Sequence, residues 1–480
     1  MEERKGFGSN FGFLMAAIGS AVGLGNIWGF PNKMGANGGF PFLILYLALA
    51  LCCGVIIMLG ELALGRKTGH GAVGAYQSIS KRFKWLGWLG IAAAALIFSF
   101  YSALGGYCLR YVVVNFGNLI GAEFGTNGVG GADVFQGLLS QPDVSIAFAL
   151  AFMLITMLVV MSGVGGGIER VCSVGMPALF FILIICIIRS CTLPGAVDGL
   201  KYMFVPGWAV ANGIIDEAPG FWRVLTAAGG QMFFSLSLGA GVMITYGSYL
   251  DKKQDLGKSA MIIVGMDTVV ALMAGLCVIP GRFALDPNGA LGGPELLFIT
   301  MQNVFDKMGP AGPVFGILFY LLVFFAAISS SISMLEVIVA HFCDKAREKG
   351  KGDRRKLYSA IVVVICAALC ALVCADGMGS NHISPAELLG LAGAKLPGWS
   401  TSWLGLFDSV AEGLLMPLGA LLMCLMISWE LKPDALRQEI LLNGENRPWV
   451  YDFFRLCVKY ITPLCMLMIL YGQISDFFIV

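Results

Sequence analysis

The chain has 480 residues, of which 58% are apolar and only 13% charged, and its mean hydropathy is +0.81. This composition excludes an ordinary soluble domain and indicates a protein whose solvent is largely membrane lipid. The formal net charge of +1 gives no support for a nucleic-acid partner, and the sequence contains no sign of an obligate protein partner.

Apolar runs long enough to cross a bilayer recur along the chain, since a spanning helix needs about 20 mostly apolar residues. Eleven such runs are predicted, at residues 10–36, 40–65, 85–119, 144–161, 167–190, 223–249, 258–280, 311–343, 357–375, 402–429 and 453–477. A small-residue cleavage site does not follow the first run, so we expect a retained helix and not a signal peptide.

Basic residues predict the orientation of these spans. Lys and Arg lie in every second connection, at positions 4–5, 66–84, 252–258, 345–356 and 432–447. Connections of this kind face the cytoplasm by the positive-inside rule. We therefore expect a multi-pass protein with a cytoplasmic N-terminus and an extracytoplasmic C-terminus.

The cysteines and histidines give little indication of chemistry. Nearly all of the 14 cysteines lie in apolar spans, where free Cys behaves as a small hydrophobe. Cys366, Cys370 and Cys374 share one face of a predicted helix, but without a nearby His or carboxylate they make a poor metal site. The sequence has no HExxH motif, and no nucleophile, base and orienting group gather in one candidate site. We therefore predict that the protein is not an enzyme and has no organic cofactor.

The first apolar run is interrupted by small and polar residues. Residues 19–26 read GSAVGLGN, which puts three glycines and an asparagine at membrane depth. Gly costs about 1 kcal/mol relative to Ala inside a helix, and unwound backbone at this depth survives only where it lines a protein cavity. The pattern favours a broken helix; the alternative is close helix packing through the small-xxx-small pair Gly19 and Gly23.

A second interruption lies midway in the sixth predicted span, where residues 231–241 read QMFFSLSLGAG. The two breaks are five helices apart, which is typical of an inverted repeat in which spans 1–5 superpose on spans 6–10. We predict a first repeat over residues 1–190, a second over 191–430 with extracellular loops, and a cytoplasmic loop with helix 11 over 431–480. The substrate is expected between the breaks, where half-helix N-termini suit a carboxylate and freed carbonyls suit a small cation.

The eighth predicted span carries three consecutive hydroxyls, Ser329, Ser330 and Ser331, deep in an apolar run. Sodium is a hard cation that prefers oxygen ligands, and hydroxyls facing unwound carbonyls would provide them. The alternative is that the serines bond to their own helix backbone and allow close packing.

Specific motifs are spread over almost the whole chain: AVGLGNIW at 21–28 with Phe30-Pro31, NGG at 37–39, GE at 60–61 with GR at 65–66, and the segment 231–239 continuing to Tyr246 and Tyr249. Together they resemble the neurotransmitter:sodium symporter family. The resemblance implies an all-α membrane protein of the LeuT fold, a 5+5 inverted repeat with unwound helices 1 and 6, and the eleven transmembrane helices of a bacterial subgroup. It also implies a sodium-coupled symporter that imports an amino acid by alternating access across the bacterial inner membrane.

By this resemblance, two sodium ions are expected. One would bind the carbonyls of Gly19, Val22 and Ala326 and the hydroxyls of Ser329 and Ser330. The other would bind the Ala21 carbonyl, Asn26, Ser235, Asp267 and the substrate carboxylate, so that sodium and substrate complete each other's site.

The resemblance also implies a set of substrate contacts, namely Ala21, Gly23, Leu24, Gly25, Ile97, Tyr101, Phe234, Ser235, Ser237, Ala240, Ser330 and Met334. Tyr101 would donate its hydroxyl to the substrate carboxylate. Amine-selective members have an Asp at the position of Gly23, so this glycine implies a substrate with its own carboxylate. Ala240 stands where a large aromatic is expected and Met334 is flexible, which favours a hydrophobic or aromatic side chain.

Gating residues are implied at both ends. Arg4 and Asp344, with Phe7 and Tyr249 nearby, resemble the cytoplasmic latch, and Tyr101 with Phe234 resembles the extracellular lid.

An outer ion pair is also expected from the resemblance, but one member differs here. The family usually has Arg at the position of Gly29, facing an acidic residue that aligns with Asp408. Lys33 could reach towards Asp408 instead; the alternative is a solvated lysine in the vestibule. Near the start of helix 5, Gly167 and Pro177 enclose nine residues, which resembles an unwinding element of bacterial members; the alternative is an ordinary kink.

Chloride is not expected to be required. The family's chloride neighbourhood would correspond to Tyr46, Gln231, Ser235, Asp267 and Ala271, of which Ala271 lacks a hydroxyl. Asp267 could supply the negative charge itself, since a carboxylate at membrane depth is a functional candidate by default. Its protonation after release of sodium and substrate would permit proton antiport; the alternative is an Asp satisfied by Gln231 and Tyr46 with no transport role.

Two rival functions stay open from the sequence. One is a symporter of the same fold for another small solute, such as a sugar or nucleobase, and the other is a channel-like or receptor protein. A channel would pass currents far above carrier turnover, whereas a sugar carrier would ignore amino-acid competitors.

Overall fold

The structure is a computed structural model that describes residues 6–289, 293–352, 354–390, 398–431, 433–442 and 448–478. All regular secondary structure within those residues is helical. Nine of the described helices are long and apolar enough to cross a membrane as continuous rods, and one further pair does so with a bend of 44°. The predicted all-α membrane class is therefore confirmed, whereas the count of eleven spans stays a prediction.

The first part of the chain forms nine helices: α1 (Asn10–Ala21), α2 (Phe30–Ala36), α3 (Phe40–Leu49), α4 (Val55–Thr68), α5 (Ala72–Ile79), α6 (Lys84–Ile120), α7 (Gly131–Leu139), α8 (Pro142–Met161) and α9 (Arg170–Cys191). The middle part forms seven: α10 (Ala196–Phe204), α11 (Trp208–Ala211), α12 (Phe221–Leu236), α13 (Val242–Gly247), α14 (Leu256–Leu285), α15 (Met301–Lys307) and α16 (Gly312–Glu348). The last part forms α17 (Arg355–Asp376), α18 (Pro385–Leu388), α19 (Trp403–Asp408), α20 (Met416–Leu425), α21 (Arg437–Ile440), α22 (Pro448–Leu456) and α23 (Thr462–Phe478).

Wide π-helical turns join several of these helices end to end. They lie at Gly25–Gly29, Ala50–Gly54, Val164–Glu169, Leu296–Thr300, Ser409–Leu415, Met426–Leu431 and Cys457–Ile461. A π-helical turn makes i→i+5 hydrogen bonds and is often found at functional sites. Since the helices continue through most of these turns, Phe40–Thr68 and Trp403–Leu431 are single spans.

The first predicted break is present between α1 and α2. Helix α1 ends at Ala21, Val22 is extended with φ −74° and ψ 99°, and the chain resumes in the π-helical turn from Gly25 to Gly29. The small residues that interrupt the apolar run are thus the ones that leave the helix. Their backbone faces protein and not lipid, because every residue from 19 to 26 is buried.

The second predicted break is present between α12 and α13. Ser237, Gly239 and Gly241 have φ values of +53°, +79° and +75°, which stop the helix. Gly239 is also required by space, because a Cβ there would lie 2.2 Å from the Met416 carbonyl oxygen. Its freed N–H donates a 2.7 Å hydrogen bond to the Glu61 carboxylate on α4. A side chain from outside the broken helix therefore satisfies its backbone.

The long helices α6 and α16 form the centre of the bundle and pack along each other. Helix α1 lies against α9, α14 and α16, so the first break faces the middle of α16, where Ser329 and Ser330 are. The end of the bundle that carries Phe7, Arg66 and Tyr249 is called the N-terminal face below. The end that carries Lys33 and Glu412 is called the opposite face.

Arg66 fastens two connections to the N-terminal face. Its side chain is 2% exposed and donates to the Glu439 carboxylate at 2.7 Å and to the Glu439 carbonyl at 2.5 Å. It also donates to the Gln254 carbonyl at 2.5 Å. The planar guanidinium can serve several acceptors in fixed directions, which a lysine cannot. The connection after α13 and the one before α22 are therefore held by α4.

Candidate functional site

The first predicted sodium site is assembled between α1 and α16. The Ser329 hydroxyl lies 3.0 Å from the Ala326 carbonyl and 3.4 Å from the Val22 carbonyl. The Ser330 hydroxyl lies 3.3 Å from the Gly19 carbonyl and 3.0 Å from the Ser20 carbonyl. All of these residues are buried. The structure thus brings together the five residues predicted from the sequence.

Oxygen is the donor type common to this group, which suits a hard cation such as sodium. Ser329 bonds within its own helix, as the packing alternative predicts, but Ser330 reaches across to α1. Each serine hydroxyl has a single hydrogen and therefore cannot donate to both of its neighbouring carbonyls at once. The role of the group in binding sodium stays a prediction.

The second predicted sodium site surrounds Asp267 on α14. Its carboxylate accepts from Asn26 at 2.7 Å, from Ser235 at 3.0 Å to each oxygen, and from Tyr46 at 3.1 Å. The Asn26 side-chain oxygen in turn accepts from the Gly23 N–H at 3.0 Å. A fully buried carboxylate is thus supported by neutral donors from the π-helical turn at Gly25–Gly29, from α12 and from α3.

The other residues expected around Asp267 are Gln231, Ala271 and Ala21. Gln231 donates to the Gly25 carbonyl at 2.6 Å, and so ties α12 to the first break. Ala271 lies one turn after Asp267 on α14 and is buried. Ala21, the remaining expected ligand, is the last residue of α1. The alternative role for Asp267 assumed hydrogen bonds to Gln231 and Tyr46. The bond to Tyr46 is present, but Gln231 donates to the Gly25 carbonyl instead.

Several of the predicted substrate contacts lie close together, where the first break meets α6, α12 and α16. The Tyr101 hydroxyl on α6 accepts a 2.6 Å hydrogen bond from the Leu24 N–H. The Tyr101 and Phe234 rings meet edge to face with centroids 6.3 Å apart; their role as a lid stays a prediction. A Cβ on Gly23 would lie 2.2 Å from the Ser330 hydroxyl and 2.4 Å from the Tyr101 hydroxyl. Gly25 is similarly confined, because its Cβ would lie 3.1 Å from the Ser235 Cα.

The remaining predicted contacts lie on α6, on α16 and in the second break, and they are all buried. Ile97 is one turn before Tyr101 on α6, and Met334 is one turn after Ser330 on α16. Ala240 lies in the second break. Ser237, also in this break, donates to the Ser20 carbonyl at 3.1 Å.

The predicted latch on the N-terminal face is present in part. The Phe7 ring packs edge to face on Tyr246 and Tyr249, with centroids 5.6 Å and 6.1 Å apart. The Asp344 carboxylate accepts from the Gly71 N–H at 3.1 Å. Arg4 lies outside the described residues.

Tyr249 also contacts a buried ion pair that was not predicted from the sequence. Its hydroxyl donates to the Glu336 carboxylate at 2.6 Å. Arg355, at the start of α17, donates to the same carboxylate at 2.5 Å. Glu336 is fully buried, and this bonding joins α16, α17 and the segment after α13.

On the opposite face, Lys33 forms an ion pair with Glu412, four residues after the expected partner Asp408. Glu412 lies inside the π-helical turn that begins at Ser409, directly after Asp408. The side chains of Lys33 and Glu412 are 23% and 8% exposed. Asp408 lies close enough to both to interact with their charges.

A side chain at Gly29 would meet the side chain of Gln231. A Cβ at this position would lie 2.9 Å from the side-chain oxygen of Gln231. An arginine therefore could not be added here without moving Gln231. The basic group is found one turn further along, on Lys33.

Gly167 and Pro177 both lie where helix geometry changes. Gly167 is inside the π-helical turn from Val164 to Glu169, and Pro177 is inside α9. A Cβ on Gly167 would lie 2.1 Å from the Val159 carbonyl, so the turn packs tightly on the end of α8. Whether this segment unwinds stays a prediction.

Sequence reasoning gave no role to three carboxylates that the structure makes prominent, namely Glu61, Glu336 and Glu412. A signal for all three was available, because an acidic residue inside an apolar span is a functional candidate by default. Ser20 was missed as well; its carbonyl accepts from both Ser237 and Ser330, and a carbonyl leaves no mark in a sequence.

The family model described as the sodium:neurotransmitter symporter family matches residues 4–127 and 132–478. The sodium-dependent transporter YhdH of Bacillus subtilis is 36% identical over 479 residues, covering 97% of both chains. The sodium-dependent transporter MJ1319 of Methanocaldococcus jannaschii is 30% identical, covering 91% of this chain and 84% of that relative.

Among solved structures, the crystal structure of MhsT in complex with L-phenylalanine is similar to this chain. The sequence identity is 34%, the TM-score is 0.83, and the match covers 98% of this chain and 100% of that chain. The predicted LeuT fold is therefore confirmed. The chain belongs to the sodium:neurotransmitter symporter family and is a sodium-dependent transporter.

Proposed function

We propose that this protein is a symporter that uses two sodium ions to import an amino acid with a hydrophobic or aromatic side chain. The substrate would bind between the breaks of α1–α2 and α12–α13. The N-terminal face would be cytoplasmic, the opposite face extracytoplasmic, and the membrane the inner membrane of a bacterium. The basic connections of the sequence support this orientation.

The observation that carries the proposal is the confinement of Gly23. Its Cβ position is 2.2 Å from the Ser330 hydroxyl and 2.4 Å from the Tyr101 hydroxyl, so no acidic side chain fits beside the Asp267 site. Besides Asp267, any further negative charge next to the second sodium must then come with the substrate. A zwitterionic amino acid supplies it, whereas a neutral sugar or a nucleobase does not. Binding of L-phenylalanine by the similar protein MhsT supports the same substrate class.

Sodium binding and substrate binding would be coupled because the two sites share protein residues. Asn26 bonds to both Asp267 and the Gly23 N–H, so an ion at this carboxylate would order the backbone that meets the substrate. Ser330 belongs to the first sodium group and also borders Gly23, which connects that ion to the same backbone. Each ligand would shift the conformational equilibrium through its different affinity for the open and closed forms.

Asp267 also makes chloride unnecessary in this proposal, because it provides a fixed negative charge beside the second sodium. Its donors are all neutral, so sodium would be its only cationic partner among the groups described above. When sodium and substrate leave, a proton can replace them on this carboxylate. The proposed cycle therefore includes proton antiport.

The test is a binding screen of the proteinogenic amino acids on purified protein, with sodium or potassium as the only monovalent cation. We expect sodium-dependent binding of large hydrophobic or aromatic amino acids. Tryptophan and leucine should compete far better than tryptamine and isoamylamine, their decarboxylated forms. Equal competition by the amines, or binding of sugars or nucleobases instead, would contradict the proposal.

A further inference from the structure

Glu169 makes contacts at the N-terminal face that the proposed transport cycle does not yet use. One carboxylate oxygen accepts from the Gly8 N–H at 2.7 Å, and the other accepts from the Ser9 hydroxyl at 2.9 Å. Glu169 is the last residue of the π-helical turn that begins at Val164. A single side chain at the start of α9 therefore holds the segment that leads into α1.

The bonding continues into α1 itself. The Ser9 hydroxyl, which donates to Glu169, also accepts from the Gly12 N–H at 2.9 Å and so caps α1. Hydrogen bonds in such a chain strengthen one another, and a carboxylate near a helix N-terminus is favoured by the helix dipole. The carboxylate and the first turn of α1 thus stabilise each other.

The close approach depends on a missing side chain. A Cβ on Gly12 would lie 1.8 Å from a carboxylate oxygen of Glu169 and 2.2 Å from its Cδ. Glu169 occupies the volume that any other residue at position 12 would need. The start of α1 and the end of the π-helical turn therefore pack closely against each other at Gly12 and Glu169.

The turn that carries Glu169 has backbone freedom of its own. It follows Gly163, which has φ +84°, and contains three consecutive glycines at 165–167. A Cβ on Gly166 would meet no atom within 4 Å. The turn can therefore change its winding with little steric resistance on that side, and Glu169 would move with it.

We infer that Glu169 is a positioning residue of the cytoplasmic gate, which holds residues 8–12 against the glycine-rich turn until that turn opens. This inference rests on the proposed function, because it assumes that α1 leaves α9 during the cycle. Release of Glu169 frees the start of α1 and opens the path to the first sodium group in one step.

Cys172 is a native reporter for this event. It lies on α9 three residues after Glu169, is 1% exposed, and its sulfur is 3.3 Å from the Cβ position of Gly19. Opening between α1 and α9 would expose it. Cys108 on α6 and Cys424 on α20 are fully buried elsewhere in the bundle and serve as internal controls.

The experiment measures N-ethylmaleimide labelling of each cysteine by peptide mass spectrometry in the purified protein, in sodium and in potassium. Glu169→Ala and Gly12→Ala should raise the rate at Cys172 about tenfold in sodium, with Cys108 and Cys424 unchanged. We expect the labelling rate to rise by only about tenfold, because water competes for hydrogen bonds with the exposed Gly8 and Ser9. This competition limits the net free energy that their bonds to Glu169 contribute. Glu169→Gln keeps an acceptor oxygen and should lie between the wild type and Glu169→Ala. The exposed Glu430→Ala is the matched control and should label like the wild type.

A wild-type rate at Cys172 in Glu169→Ala and Gly12→Ala would overturn the inference. An equal rise at all three cysteines would overturn it too, because that result means general loosening. The proposed function has a separate readout in the same experiment, since it requires the wild-type rate at Cys172 to differ between sodium and potassium.

Discussion

The confinement of Gly23 gives the sharpest test of the binding site. In Gly23→Ala the new methyl group would lie 2.2 Å from the Ser330 hydroxyl and 2.4 Å from the Tyr101 hydroxyl. Real Cβ atoms rarely come closer than 3.0 Å to such atoms, so the two oxygens would have to retreat by 0.8 Å and 0.6 Å. Both belong to side chains that we propose as substrate contacts.

The size of the effect follows from the cost of overpacking. Forcing one methyl group into a packed core costs about 1–3 kcal/mol. If this cost falls on the bound form, amino-acid affinity drops about five- to 150-fold. Displacement of Ser330 should also weaken apparent sodium affinity, because its hydroxyl bonds to the Ser20 carbonyl beside the first sodium group.

The assay is equilibrium binding of a radiolabelled amino acid in sodium, together with thermal unfolding to verify folding. Gly265→Ala is the matched control, because a Cβ on this α14 glycine would meet no atom within 4 Å. The control should bind like the wild type. Wild-type affinity in folded Gly23→Ala would refute the reasoning, since the glycine would then not border the bound substrate.

Three further substitutions test other parts of the site. Lys33→Gln should lower the free energy of unfolding by about 2 kcal/mol, because Glu412 is left without its partner in a nearly buried place; thermal unfolding measures this, and exchange of the two charges should restore part of it. Wild-type uptake into proteoliposomes should persist when gluconate replaces chloride, whereas Asp267→Asn should be impaired or newly dependent on chloride. Strict chloride dependence of the wild type would falsify the assignment of Asp267 as the fixed anion. Ala240→Phe should reduce competition by tryptophan in the binding assay more than competition by alanine, and unchanged competition by tryptophan would contradict the proposed volume of the pocket.

The two helix breaks could be predicted from the sequence because their cause is local. Gly and polar residues in the middle of an apolar run are costly in a continuous helix wherever they occur. The structure has its breaks at 22–24 and 237–241, inside the predicted stretches. Ser329 and Ser330 were found for the same reason, since hydroxyls stand out in an apolar span.

The ion pairs could not be predicted in the same way because they depend on how helices are oriented. Asp408 was aligned with the family's acidic partner, but in the structure Lys33 forms its ion pair with Glu412, which lies four residues later in the π-helical turn from Ser409. The bond from Arg355 to Glu336 joins two helices, and no local pattern marks it. A sequence marks a polar residue in an apolar span, but which of these residues meet depends on the packing of the helices.

The π-helical turns have a consequence for any scan of this protein by substitution. A π-helical turn has more residues per turn than an α-helix. Positions that would continue one face of the helix before the turn therefore lie on a different face after it. In the span from Trp403 to Leu431, the turn at Ser409–Leu415 resets the angular phase between α19 and α20, and the turn at Met426–Leu431 changes it again at the end of the span. A periodic pattern of lipid-facing positions should therefore be fitted separately to each segment between the turns. A single wheel drawn through the whole span would assign interior positions to lipid.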